Sequence, residues 1–240
     1  MNPIMKPWPF TGWGIDLIGQ IFPSSSKGHK FVLVAMDYST KWVVAIPLKV
    51  ASSANVIEFI REHIIYRFGV LKSITIDQGK MFTSKEFEDF AASTSFKLIN
   101  SSPYYAQANG RAEASNPILI KIIKKKINEN PRKWHSVLSE TLLSYTMACH
   151  GSTKCLAYEL VYGHEAVLPW EINLESQRIS QQDKLIADDY KNLMLDNLDD
   201  LKFHWLKALE NIRANKIRLP CSIIKKCKKE DSVKVNWFGR

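Results

Sequence analysis

At 240 residues the chain has room for one large domain or a core with an appendage, and its 45% hydrophobic content is ordinary for a globular protein. Its formal net charge of +9 is unevenly placed: residues 202–240 hold 11 Lys and Arg against 3 Asp and Glu, a basic end of the kind that binds polyanions, nucleic acid before membrane. Cys149, Cys155, Cys221 and Cys227 are too few and too scattered for a disulfide framework, Cys149, His150 and Cys155 lack the paired spacing of a structural zinc site, and neither a signal peptide nor a spanning apolar run of about 20 residues is evident, so no membrane partner is expected.

Residues 1–10 contain three prolines and read as an extended lead-in. A strand is expected over 12–21, passing through Asp16, followed by a turn at 23–28. Residues 31–36 and 42–46 are β-branched and aromatic runs joined by a short polar link, which is a hairpin signal, so the first three strands should form an antiparallel meander. Ser52 or Ser53 can cap a helix whose apolar residues Val56, Ile57, Ile60, Ile64 and Phe68 recur at helical spacing, with Gly69 as its stop. A strand over 70–77 follows. Residues 83–86, Thr-Ser-Lys-Glu, have the form of a capping box before a helix over 84–94, and 96–99 is a short strand. Strand, helix, strand, helix, strand after a meander implies parallel pairing through crossovers, hence an α/β fold with a five-stranded mixed sheet flanked by helices.

Beyond the sheet, a polar, turn-rich loop over 101–112 leads into a helix that carries Glu113 near its start and the basic face Lys121, Lys124, Lys125 and Lys126 further on. Residues 128–131 break it. A second helix over 132–148 has Trp134, Val137, Leu138, Leu142 and Tyr145 as its apolar stripe, and 181–219 reads as a long helix or helical pair stopped by Pro220.

Three acids stand out. Asp16 lies within an apolar strand, where a lone carboxylate costs several kcal/mol unless paired or bound to a metal. Asp77 falls at the C-terminal end of the fourth strand, the edge where open α/β sheets usually take ligands, and 35 residues separate it from Glu113. Singly, Asp77 before Gln78-Gly79 also suits a turn and Glu113 a helix N-terminus. Acids without His or Cys partners match a hard ion such as Mg²⁺ better than zinc. In the loop, Tyr104, Tyr105, Gln107, Asn109 and Arg111 combine stacking faces with donors suited to DNA ends, and Lys121, Lys124 and Lys125 suit phosphates.

The stretches Gly12-Trp-Gly-Ile-Asp16, Ile74-Thr-Ile-Asp77-Gln-Gly79 and Asn109-Gly-Arg-Ala-Glu113-Ala-Ser-Asn116 resemble the integrase catalytic core of gypsy-class long-terminal-repeat retrotransposons, particularly plant ones, and the resemblance covers roughly residues 8–220. It implies an RNase H-like core over 11–170 and a helical, basic extension over 171–240, whose residues 228–237 look like the first strand of a truncated small barrel. It also implies roles: Asp16 bridging two Mg²⁺ ions, with Mn²⁺ as substitute, Asp77 on one and Glu113 on the other, transferring phosphodiesters between element DNA ends and target DNA. A homo-oligomer follows, located in the nucleus with cytoplasmic particles as a second site. The chain departs from the family in Pro117, where a basic residue is common, in Ala157 for Pro and in Arg111 for Gln. With the upstream zinc module also missing, the expectation is a polyprotein fragment impaired in DNA joining. The alternative from another class is a non-catalytic nucleic-acid-binding or self-associating relic. A ribonuclease H-type nuclease would need a fourth acid, which Asp37 at the end of the second strand does not obviously supply.

Overall fold

In the computed structural model the described residues are 8–76, 79, 81–100, 112–168, 173–174 and 187–234, with side chains described outside 112–117, 187 and 216–234. The meander forms as its β-branched runs predict: β1 (Gly12–Gly19), β2 (Phe31–Asp37) and β3 (Val43–Leu48) pair antiparallel in sequence. Helix α1 starts at Ser53–Ile60, with the Ser52 hydroxyl accepting the Asn55 N–H. It runs on through a π-helical turn, Arg61–Ile65, and a last α turn, Tyr66–Phe68. Gly69 ends it at φ 85°, a conformation that costs glycine little. Then come β4 (Ser73–Ile76), α2 (Lys85–Thr94), β5 (Lys97–Asn100), α3 (Ala112–Glu129), α4 (Trp134–Thr146), α5 (Ala157–Tyr162) and α6 (Ala187–Lys234).

The strand order is β3-β2-β1-β4-β5, with β1 antiparallel to β2 but parallel to β4, and β4 parallel to β5. The mixed sheet inferred from the element order is therefore the one observed, and β1 is its centre. Because side chains alternate across a strand, Trp13 and Ile15 join Leu33 and Ala35 on one face, against Val56, Phe59, Ile60 and Phe87 of α1 and α2. Ile18 joins Val32, Val34 and Met36 on the other, against Leu119, Ile123 and Ile127 of α3 and Trp134 and Leu138 of α4. The i, i+4, i+8 spacing on α3 turns Lys121, Lys124 and Lys125 away from the sheet, and all three are exposed.

Several expectations shift. The cap of α2 is Ser84, whose Oγ accepts the Phe87 N–H, rather than Thr83: the first turn brings the N–H three residues ahead to the cap, and Phe87 must point inward to be fully buried. Residues 8–10 form a turn packed on the core, with the Phe10 ring stacked 4.6 Å from Phe68. The largest correction is at the C-terminal end, where α6 continues through Pro220 to Lys234 instead of stopping. A proline deletes one helical hydrogen bond at a cost of about 3 kcal/mol, which the good helix formers on both sides can outlast in so long a helix. Residues 228–234, expected as the start of a barrel strand, are helical, and 235–240 lie outside the described residues.

α6 is fastened to the core by polar bonds into the 151–160 region. Trp205 Nε1 donates to the Leu160 carbonyl at 2.7 Å, Asn211 Nδ2 to that of Thr153 at 3.0 Å, and His204 meets the Glu159 carboxylate at 2.9 Å. Gly163 ends α5 at φ 78°, and a Cβ there would sit 3.7 Å from both the Asn197 carbonyl and Leu201 of α6. Trp205→Phe keeps the ring but strands the Leu160 carbonyl. Amide exchange along α6 should rise, at a cost of about 1 kcal/mol, while exchange in β1 and β2 stays unchanged.

Candidate active site

Asp16 stands mid-strand in β1 opposite Val34 of β2. The pleat puts it on the side of Ile18 and Val34, which is the face covered by α3. The helix whose second residue is Glu113 therefore lies over the sheet face on which Asp16 sits. The Asp16 side chain is half-buried, and its Oδ1 accepts the Leu17 N–H at 2.8 Å.

β4 runs alongside in the same direction, in the register Gly12–Ser73, Trp13–Ile74 and Gly14–Thr75. Ile76 is its last residue. Asp77, next in sequence, lies outside the described residues, as do Tyr104, Tyr105, Gln107, Asn109 and Arg111. The backbone of Glu113 is helical within α3, while its side chain is outside them. Of the expected DNA-binding residues, Lys121, Lys124 and Lys125 are exposed on α3; Lys125 lies 3.9 Å from Glu129, and Lys126, 3.0 Å from the same carboxylate, shares that partner.

Sequence reasoning overlooked Tyr38. Its N–H donates to the Gly12 carbonyl at 3.0 Å, and its ring lies over Gly14, so close that a Cβ on Gly14 would stand 2.7 Å from the hydroxyl oxygen. That hydroxyl also bonds to the Thr75 side chain on β4, and burial pushes its pKa to about 12. Tyr38 thus spans β1 and β4 two residues before Asp16, on the same face, and ties the two parallel strands together there. Gly14 in Gly12-Trp-Gly-Ile-Asp16 was the available signal, since a glycine in a central strand marks a close approach.

Asp37 is different in kind. It is fully buried, and its oxygens accept the N–H groups of Phe10, Ser39 and Thr40 and the Thr40 hydroxyl at 2.8–3.2 Å. It pairs with Trp13, three residues from Asp16 along the sheet, so roughly 10 Å of strand separates them. Asp37 organises the β2–β3 turn and is no fourth acid. Burial outweighs those donors and holds its carboxyl at about 6, against an ordinary 3.8. The folded chain then binds this proton more tightly than the unfolded one. Its contribution is full below about pH 3.8 and is lost as pH rises through about 6, a loss of about 3 kcal/mol. Asp37→Asn should flatten that part of a stability curve measured between pH 4 and 7.

Helix α3 begins at Ala112, which places Pro117 in its second turn rather than its first. The N–H that proline lacks is the one that would bond the Glu113 carbonyl. Beyond the first turn this costs as much as about 3 kcal/mol relative to alanine. Pro117→Ala should raise the midpoint of chemical denaturation accordingly and slow amide exchange over the first two turns of α3.

Residues 7–106 match the family described as integrase core domain, a span that includes Asp16 and Asp77 and ends before Glu113. The chain is 29% identical over 187 residues to the Pro-Pol polyprotein of simian foamy virus type 3 and 30% identical over 162 residues to that of feline foamy virus, covering 76% and 68% of itself. It is 28% identical over 167 residues to the Transposon Tf2-3 polyprotein of Schizosaccharomyces pombe, covering 69% of itself. It spans only 16%, 14% and 12% of those three proteins. In fold it is similar to a chain of the simian T-cell lymphotropic virus intasome solved with PP2A regulatory subunit B56 gamma, at a TM-score of 0.56 and 22% identity over 70% of this chain and 59% of that one. A five-stranded mixed sheet between helices, with that neighbour, is an RNase H-like fold. Residues 7–106 are thus similar to the integrase core domain family, and the chain aligns with segments of retroviral and retrotransposon polyproteins.

Proposed function

We propose that this chain is the core of a DNA-integrating polynucleotidyl transferase of the gypsy class of retroelements, working on element DNA ends and target DNA as a multimer in the nucleus. The observation that carries it is the placement of Asp16: a carboxylate on the central strand, on the face crossed by α3, beside a parallel β4. Asp77 follows the last residue of β4, Ile76, in sequence, and Glu113 is in the first turn of α3.

These three acids would hold two divalent ions, Mg²⁺ or Mn²⁺, and the donor set fits them because it is all carboxylate. When bound, the ions supply charge neutralisation at the phosphodiester and activation of the attacking oxygen. The chain's own residues do the rest. Asp16 is aimed by the pleat and by the Leu17 N–H, and Tyr38 keeps β1 and β4 in register. Tyr104, Tyr105, Gln107, Asn109 and Arg111 would position the DNA end, with Lys121, Lys124 and Lys125 on phosphates. A second reading, a relic that binds nucleic acid without catalysis, is favoured by Pro117 in the interior of α3.

The test is metal-dependent nicking and joining of duplex ends by the purified chain. Asp16→Asn should lower the rate by at least roughly 100-fold, the loss expected when a reacting group is misplaced, while leaving DNA affinity intact. Equal activity in the two proteins would refute the assignment. An inactive parent that stays inactive as Pro117→Lys yet binds DNA would favour the relic.

A further inference from the structure

The β1–β2 loop, the end of β3 and the α3–α4 turn converge at one corner of the molecule. The Ser26 N–H donates to the Arg132 carbonyl at 2.8 Å, and the Lys30 N–H to that of Leu48 at 2.9 Å. The His29 and His135 rings lie 5.3 Å apart across this junction, with Trp134 6.2 Å from His29. Residues 20–30, 47–51 and 130–136 supply Lys27, Lys30, Lys49, Arg132 and Lys133, and they contain no Asp or Glu. All five cations are exposed. The nearest acid in sequence, Glu129, is engaged by Lys125 and Lys126.

Two further features point to an anion. α4 opens here with Lys133 as its N-cap and no side-chain bond to its first N–H groups, so the positive end of the helix dipole adds to five side-chain charges instead of being offset by an acid. The buried ring nitrogens Trp134 Nε1 and His135 Nδ1, on the first two residues of that helix, have no hydrogen-bond partner among the described residues. Such a concentration of one sign destabilises the fold unless something of opposite sign meets it.

We propose that this corner is a second nucleic-acid contact, a patch that takes the phosphate backbone of duplex DNA without reading its bases. The proposal rests on the transferase reading for its choice of polyanion. The loop begins after Gly19, three residues or roughly 10 Å along β1 from Asp16, so a duplex with one phosphodiester at Asp16 extends far enough to lay neighbouring phosphates on the patch. The histidines give it a signature. His29 is held below its ordinary value by burial first, then by His135, Lys49 and Lys27; Arg132 and Lys133 are the other cations of the adjoining turn. Phosphates opposing those charges raise His29 again, so binding takes up protons and tightens as pH falls.

The test is fluorescence anisotropy of the full chain with duplex DNA in metal-free buffer, between about 50 and about 200 mM salt. In the triple variant Lys27→Gln, Lys49→Gln, Arg132→Gln the slope of log affinity against log salt should fall by about 2.7, at roughly 0.9 for each phosphate no longer neutralised. The tightening from pH 7.5 to pH 5.5 should shrink in His29→Gln. Lys27, Lys49 and Arg132 are at the surface and His29 is half-buried, and an unchanged thermal melt verifies the fold of each variant. An unchanged slope in a folded variant overturns the patch, and so does a loss confined to phosphatidylserine vesicles, which would make the ligand a membrane. A chain that binds DNA through the patch but never joins it in Mg²⁺ or Mn²⁺ would refute the transferase reading alone. One that joins DNA with its salt slope untouched would refute the patch alone.

Discussion

The structure depends on β1 being buried from both sides. As the central strand it meets α1 and α2 through Trp13 and Ile15 and α3 and α4 through Ile18, so each residue is committed to one face and a one-residue slip would exchange the two cores. That constraint gives Asp16 its position. Set between Ile15 and Leu17, its side falls with the α3 face as a matter of pleat, and no loop rearrangement can re-aim it. Gly14 is bound by the same logic, since any side chain there would occupy the space of Tyr38.

Two carboxylates on neighbouring strands show how environment divides roles. Asp37 is sealed from solvent, surrounded by four donors and held up near pH 6, properties of a group that closes a turn. Asp16 keeps a half-exposed side chain on a face crossed by a helix that brings another acid in its first turn. Both were visible as acids in apolar strands. Only the register, which sets Asp37 opposite Trp13 and Asp16 opposite Val34, puts the two on opposite faces of the sheet.

Local rules made much of the fold legible. Ser52 as a cap, Gly69 as a stop, the helical spacing of Val56, Ile57, Ile60 and Ile64 in α1 and the β-branched and aromatic runs of the meander are signals that a few residues carry alone. The order of elements then implied which strands run parallel. Legibility failed where the deciding partner was distant in sequence or where many weak preferences competed. Pro220 is a strong local stop, yet it is outvoted over the length of α6. Tyr38 acquires its role through Gly14 and Thr75, and His29 through Trp134 and His135, neighbours that meet only once the sheet and helices are assembled. Of the candidate site, Asp16 was legible because a carboxylate in an apolar strand needs a reason.

Helix α3 joins these themes, because its two ends serve different purposes and are held differently. Its middle and C-terminal turns are anchored by Leu119, Ile123 and Ile127 in the core beneath them, and its end is continuous with the turn that bonds to Ser26. Its first turns contain Glu113 and, four residues on, a proline that leaves the Glu113 carbonyl without its helical donor. A tilt at Pro117 would therefore move the acid while leaving the exposed lysines and the basic corner in place. From Glu113 to the end of the helix is 16 residues, or about 24 Å at 1.5 Å per residue, far enough for the two ends to respond separately. Binding along the phosphate backbone tolerates displacements of an ångström, since Coulomb attraction varies slowly with distance, whereas in-line chemistry does not. On the proposed reading, nucleic-acid binding would thus be the property that outlasts damage at Pro117, and catalysis the property that records it.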